Sequence, residues 1–243
     1  MNISMLELRY DLHIHSCLSP CGDYSMTPAN IVGMAKVKGL DVIALTDHNS
    51  CGNCGATMKY GEYYQVMVIP GMELTTYEEV HVICLFASCQ MAIGFEQVVN
   101  NRMEKVKNRE ELFGEQLIYN ENDQIVGNVE HLLICRTNIT FDETYDLVKK
   151  YGGAAIPAHI DKKSNSAIAN LGWIGTDRGY SCVEISNLDK WNEWKENYPF
   201  LNHCKVICNS DAHFLYDIHE PEYSMLVEQR KVESVLEYLR SSC

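Results

Sequence analysis

The feature that most constrains this chain is an alternation of two hydrophobic periods. Short apolar runs at 6–14, 42–45, 66–69, 80–86, 154–156, 183–185 and 206–208 have the character of buried strands. Helical punctuation lies between them. Thr27-Pro28 supplies an N-cap followed by proline at the first helical position, and Gly39 supplies a stop. Thr140-Phe-Asp-Glu143 reads as a capping box, with Gly152-Gly153 ending that helix. The stretch 231–239 places Val232, Val235, Leu236 and Leu239 on one helical face. Such strand–helix alternation predicts an α/β fold with a parallel sheet covered by helices. With no Ser/Gly linker, internal repeat or low-complexity tract, residues 1–243 read as one domain. The irregular stretch from about Arg102 to Asn138 reads as an insertion within it. There, 116–119, the polar turn Asn120-Glu-Asn-Asp123 and 124–126 predict a hairpin.

The chemistry-bearing residues fall at one end of these runs. Asp11-Leu-His-Ile-His15 closes the first. Side chains alternate along a strand, so His13 and His15 share one face, and Leu12 and Ile14 take the other. Two imidazoles at i, i+2 suit a divalent metal. Thr46-Asp-His48 follows the second run and Gly71-Met-Glu73 the third. His81 lies in the fourth, His159 follows the fifth, and Ser210-Asp-Ala-His213 follows the last; Asp23 sits in the loop after the first. In barrels and open α/β sheets, the C-terminal edge of the strands is where sites assemble. Imidazoles outnumber carboxylates in this set, which suits two or three ions of zinc, manganese or iron and not magnesium or calcium. Glu73 can bridge two ions, and Asp47 is placed to orient a ligand imidazole from behind.

Composition narrows the substrate. Twenty Lys+Arg stand against thirty-three Asp+Glu, a net charge of −13. Such a surface repels an extended duplex, while clustered cations would create local positive charge. No apolar run reaches the roughly 20 residues of a membrane helix, and 1–15 lacks a signal-peptide pattern. With eleven cysteines and no export signal, a cytoplasmic location with free thiols is expected.

Taken in order, Asp11-Leu-His-Ile-His, Thr46-Asp-His, Gly71-Met-Glu, His81, His159 and Asn209-Ser-Asp-Ala-His213 resemble the motifs of the PHP (polymerase and histidinol phosphatase) superfamily. The resemblance runs from Tyr10 to about His213. It implies a distorted (β/α)7 barrel and a metal-dependent phosphoesterase. Carried over by motif, one metal takes His13, His15, Glu73 and Asp211. A second shares Glu73 and takes His81 and His159, and a third takes Asp23, His48 and His213. Asp23 is the departure, because its spacing from the His-x-His differs among members.

The resemblance implies attack on phosphorus by a metal-bound hydroxide, with His13, His15, Glu73, Asp211 and His213 as the catalytic set. A protonated His213 or His48 would alternatively serve as general acid. Lys162, Lys163 and Arg178 are candidate phosphate clamps. Cys17, Cys21, Cys51 and Cys54 sit in loops beside the ligands, as a second zinc site, a redox-sensitive dithiol or plain reduced thiols. The expected substrate is a small nucleotide-like or sugar-like phosphate ester. Exonuclease action on nucleic-acid ends is the first alternative, with a short oligonucleotide as substrate, and histidinol phosphatase the next. A metal-binding or redox sensor module is the non-enzymatic alternative.

Overall fold

The structure, a computed structural model, describes residues 5–172 and 179–241. Its strands are β1 (Leu6–Ile14), β2 (Val42–Leu45), β3 (Met67–Thr75), β4 (His81–Leu85), β5 (Leu117–Tyr119), β6 (Ile125–Asn128), β7 (Ala154–Pro157), β8 (Cys182–Glu184), β9 (Lys205–Ile207) and β10 (Ser224–Val227). Its helices are α1 (Pro28–Lys38), α2 (Cys54–Tyr64), α3 (Cys89–Arg102), α4 (Glu110–Phe113), α5 (Phe141–Lys150), α6 (Ala167–Leu171), α7 (Trp191–Asn197) and α8 (Val232–Arg240).

The largest sheet has the order β10-β1-β2-β3-β4-β7, and β8 pairs with β9 in parallel. The curl continues through single bonds. Ile160 N donates to Glu184 O at 2.9 Å, which joins the end of β7 to β8. Beyond β9, His15 N donates to Ala212 O at 2.9 Å, and Ile14 bridges Ala212 in parallel. A distorted α/β barrel results, as the motif resemblance implied.

The sheet is not all parallel. β4 runs antiparallel to both β3 and β7. β3 and β4 are joined by a tight turn, with Thr76 N bonded to Val80 O and Glu79 at φ +59°, and no helix intervenes. His81 therefore opens β4, and because that strand is reversed, its start lies at the same edge as the end of β3. β3 itself runs on through Gly71-Met-Glu to Thr75. Gly71 is required there, because a Cβ would stand 2.6 Å from Cys84 O on the paired strand. β10, which pairs antiparallel with the lower half of β1, has no counterpart among the predicted runs.

The predicted helix signals are realised. Thr27 Oγ accepts from Asn30 N ahead of α1, Gly39 ends it at φ +77°, and Thr140 and Glu143 cap α5 reciprocally. The predicted hairpin is β5–β6. Apolar residues form two layers. Leu8, Tyr10, Leu12, Val42, Ala44, Ile69, Ile83, Ile156, Cys182 and Ile207 fill the inner cluster, closed by Val235, Leu236 and Leu239 of α8. The outer cluster lies between the sheet and the other helices, with Trp191 and Trp194 packed against it.

One irregularity in β1 positions the site. From Asp11 to Ile14 four residues oppose only three of β2, Ile43 to Leu45. The extra residue is a β-bulge, a device that re-aims side chains. Leu12 consequently joins the inner cluster while Ile14 joins the outer one, so the alternation that assigned them a common face fails at this point.

Candidate metal centre

The edge formed by the ends of β1–β3 and the start of β4 gathers nearly every residue singled out from the sequence. Its centre is the carboxylate of Glu73, 1% exposed. Five imidazoles surround it: His81 Nδ1 at 2.8 Å, His48 Nδ1 at 3.0 Å, His159 Nε2 at 3.1 Å, and His13 Nε2 and His15 Nε2 at 3.4 Å. His13 Nε2 and His15 Nε2 lie 3.1 Å apart, and both approach Asp211 Oδ1, at 3.2 and 3.1 Å. His159 and Asp211 hold positive φ, +30° and +54°. Non-glycine residues rarely adopt that conformation, and it tends to mark functional sites.

Each of three rings is fixed by its second nitrogen. His13 Nδ1 donates to Glu184, at 3.1 Å from both oxygens. His15 Nδ1 donates to Ser19 Oγ at 3.0 Å, and Ser19 Oγ in turn donates to Asp47 Oδ1 at 2.7 Å. His213 Nδ1 donates to the carbonyl of Asp211 at 2.7 Å. In all three the Nε2 lone pair is left to face the cluster, the tautomer that metal ligation requires. Asp47 thus orients an imidazole, as expected, but through Ser19. Glu184, fully buried, also accepts from His159 N at 3.0 Å and Asn209 Nδ2 at 2.6 Å.

Among the described residues, donor atoms converge within 4.8 Å in three groups: His13, His15, Glu73 and Asp211; His48, Glu73 and His81; and His15, Cys21, His48 and His213. Buried His48 Nδ1 stands 3.0 Å from Glu73 Oε2 yet makes no hydrogen bond of normal geometry. Imidazole nitrogens with a shared carboxylate and one thiol form a donor set that fits borderline divalent cations.

Electrostatics follow from this crowding. Burial pushes the Glu73 carboxyl upward, but the charges of His81, His13 and His48 hold it well below the usual range. Burial disfavours the charged form of His48, yet Glu73 and Cys21 raise it to about 10. The Cys21 thiol, lifted by burial, is brought down to about 7 by His213 and His48.

The third predicted ligand group differs in one member. Asp23 Oδ1 is taken by Ser25, accepting from its N at 2.9 Å and its Oγ at 2.5 Å, and Asp23 belongs to none of the three groups. Cys21 stands there instead, its Sγ 2.9 Å from His213 Nε2. The four loop cysteines do not converge. Cys51 and Cys54 are buried side by side, both bonded to Gly71 O at 3.3 and 3.4 Å. Cys17 is buried beside Asp47, where desolvation and that charge push its thiol up to about 12. Among the described residues, these four thiols share no common donor group.

Beside the cluster opens a cavity of about 250 Å³, lined by Cys21, His48, Glu73, His81, His159, Asp211 and His213 together with Ile134, Lys162, Ser164 and Asn165. Lys162 Nζ contacts Asp211 Oδ2 on its wall. Lys163 is exposed and outside the lining. Arg178 lies outside the described residues. Glu184 was missed by sequence reasoning, although a lone carboxylate inside the run Cys182-Val-Glu-Ile is itself a signal, because buried Glu is rare unless partnered.

A barrel whose open edge converges imidazoles and carboxylates defines a candidate metal centre. The chain belongs to the PHP family: the sequence model of the PHP domain matches residues 11–174. An uncharacterized protein of Methanocaldococcus jannaschii, MJ1587, is 33% identical over 108 residues, 41% of this chain and 61% of that protein. Among solved structures, the lesion-specific endonuclease PfuEndoQ from Pyrococcus furiosus superposes with a TM-score of 0.71 at 18% identity, over 97% of this chain and 56% of that one. An amidohydrolase from Chromobacterium violaceum with bound sulfate and no metal gives 0.61 at 14% identity, over 95% and 96%. The chain thus spans less than two thirds of the first two proteins. Among the described residues, no helix is long and apolar enough to cross a membrane.

Proposed function

We propose that this protein hydrolyses a small phosphate ester, nucleotide-like or sugar-like, with two or three divalent ions. The observation that carries this reading is one buried carboxylate ringed by five imidazoles at 2.8–3.4 Å beside an open cavity. His13, His15, Glu73 and Asp211 would hold one ion, and Glu73, His81 and His159 a second. Cys21, His48 and His213 would hold a third. Bound there, such ions polarise phosphoryl oxygens and make water a competent nucleophile at neutral pH.

The chain's own side chains supply the rest. Glu73, shared between groups, fixes the spacing of the donors. Glu184, the Asp47–Ser19 pair and the Asp211 carbonyl keep His13, His15 and His213 in one tautomer. Lys162, its ammonium stabilised against burial by Asp211, is placed to hand its charge to a phosphoryl oxygen entering the cavity. The thiol of Cys21 favours a softer ion such as zinc at the third position.

Cleavage of a nucleic-acid strand is the second reading, supported by the likeness to a lesion-specific endonuclease. Assays with manganese, zinc or iron on an aryl phosphate, nucleoside bisphosphates and short labelled oligonucleotides separate the two. Turnover of small esters is expected. Absence of turnover on all three with every metal overturns the proposal.

A further inference from the structure

The β5–β6 hairpin of the insertion is bonded to the side chain of Asn53, a buried amide at the N-cap of α2. Asn is a favoured capping residue, yet this side chain makes no cap bond to its helix. It is spent elsewhere. Asn53 Oδ1 accepts from Tyr119 N at 2.9 Å, and Nδ2 donates to Leu117 O at 3.1 Å and to Ser16 Oγ at 2.9 Å. A backbone N–H can only donate and a carbonyl can only accept, so the hairpin decides which way the amide faces. Its remaining N–H is thereby turned to Ser16.

From Ser16 one polarity runs to the metal ligands. A hydroxyl carries a single proton. Ser16 Oγ receives from Asn53 and gives its proton to Asp47 Oδ2 at 2.7 Å, while Ser16 N donates to Asp47 Oδ1, also at 2.7 Å. Asp47, so held, takes the proton of Ser19. The lone pairs of Ser19 are then left for His15 Nδ1 at 3.0 Å and His48 N at 3.2 Å. Asn53, Ser16, Asp47, Ser19 and His15 are all buried, and a buried polar chain with one unmatched member is costly. The exit of the insertion has its own anchor. Asn49 Nδ2 donates to Leu133 O at 2.7 Å and Cys135 O at 2.9 Å, which holds the cavity wall at Ile134 independently of the hairpin.

We propose that Asn53 is a positioning residue that couples the hairpin to the metal position at His15: the hairpin orders the ligand, and a metal on the ligand orders the hairpin. The proposal rests on the metal-binding reading of the cluster and deepens it, whichever ester is cleaved.

The test uses the full chain as wild type, Asn53→Ala, Ser16→Ala and the double variant, with zinc or manganese alone as the probe. Chelator competition reads metal affinity, and amide hydrogen exchange reads the order of the hairpin. Coupling between two sites is reciprocal. Metal should therefore slow exchange across residues 116–129 of the wild type several-fold. Asn53→Ala should abolish that slowing and weaken metal binding by about tenfold. Both substitutions act along one path, so the double variant should bind no more weakly than Ser16→Ala; additive losses overturn the relay. A merely structural role would lower the melting temperature and leave metal affinity unchanged, which also overturns it. Exchange in the wild type that is indifferent to metal overturns it too, and that measurement decides even if a variant fails to fold. If the wild type binds neither metal, the metal reading falls and the proposal with it. If it binds metal and cleaves no ester, only the phosphoesterase reading falls, and the same two readouts decide the coupling.

Discussion

Replacing Glu184 with glutamine removes one charge and no volume, and the surrounding geometry makes the outcome severe. One oxygen accepts from His159 N at 3.0 Å and the other from Asn209 Nδ2 at 2.6 Å, while His13 Nδ1 donates to both. Asn209 cannot turn to help, because its Oδ1 is engaged by Leu12 N at 2.8 Å. Whichever way the new amide points, its NH2 meets a donor. His13 is relieved by moving its proton to Nε2, the atom that must ligate. Loss of a carboxylate behind a ligating histidine costs 10–100-fold in metal affinity, about 1.4–2.7 kcal/mol. Chelator competition with zinc or manganese, followed by elemental analysis, measures it directly. The metal-free melting curve separates this effect from a general loss of stability. Affinity within twofold of wild type would refute the tautomer argument.

Three further outcomes are expected. Metal loading at pH 7 should release protons and tighten as pH rises from 6 to 8. In the metal-free protein His48 keeps its proton up to about 10 and Cys21 loses its own near 7, whereas ligation needs neutral imidazole and thiolate. Calorimetry in buffers of different ionisation enthalpy reads this, and a pH-independent affinity contradicts it. Cys21→Ser should lose about one ion per chain while leaving the His13/His15 ion in place, and bound metal should shield Cys21 from iodoacetamide in the wild type; equal metal content in both proteins argues against a thiolate ligand. Thr140→Ala should cost about 1 kcal/mol by breaking the α5 capping box without changing metal content, measured by urea denaturation.

Much of this was legible in the sequence because buried strands and capped helices leave local signatures. The apolar runs, the Thr27 and Thr140 caps and the hairpin all depend on residues within a few positions of one another. What escaped depends on distant partners. The reversal of β4 is decided by a short turn after Thr75, and an apolar run carries no sign of its direction. β10 shows only Met225 and Val227 buried between exposed neighbours, too brief an alternation to stand out. The bulge at Asp11–Ile14 is an outcome of pairing with β2, so strict alternation misplaced Ile14 while still giving His13 and His15 correctly. Cys21 was read among cysteines, because only the fold shows that it faces imidazoles.

β1 is paired along its lower half by β10 and beside its upper half by Ala212. These partners arrive late: Leu12 and Asn209, which bond each other, are 197 residues apart. During synthesis β1 must therefore wait, with one edge unpaired, until residues 209–227 have emerged from the ribosome. Ring closure by residues 209–227 is thus the longest-range event of folding, and only with it does Asp211 meet His13 and His15.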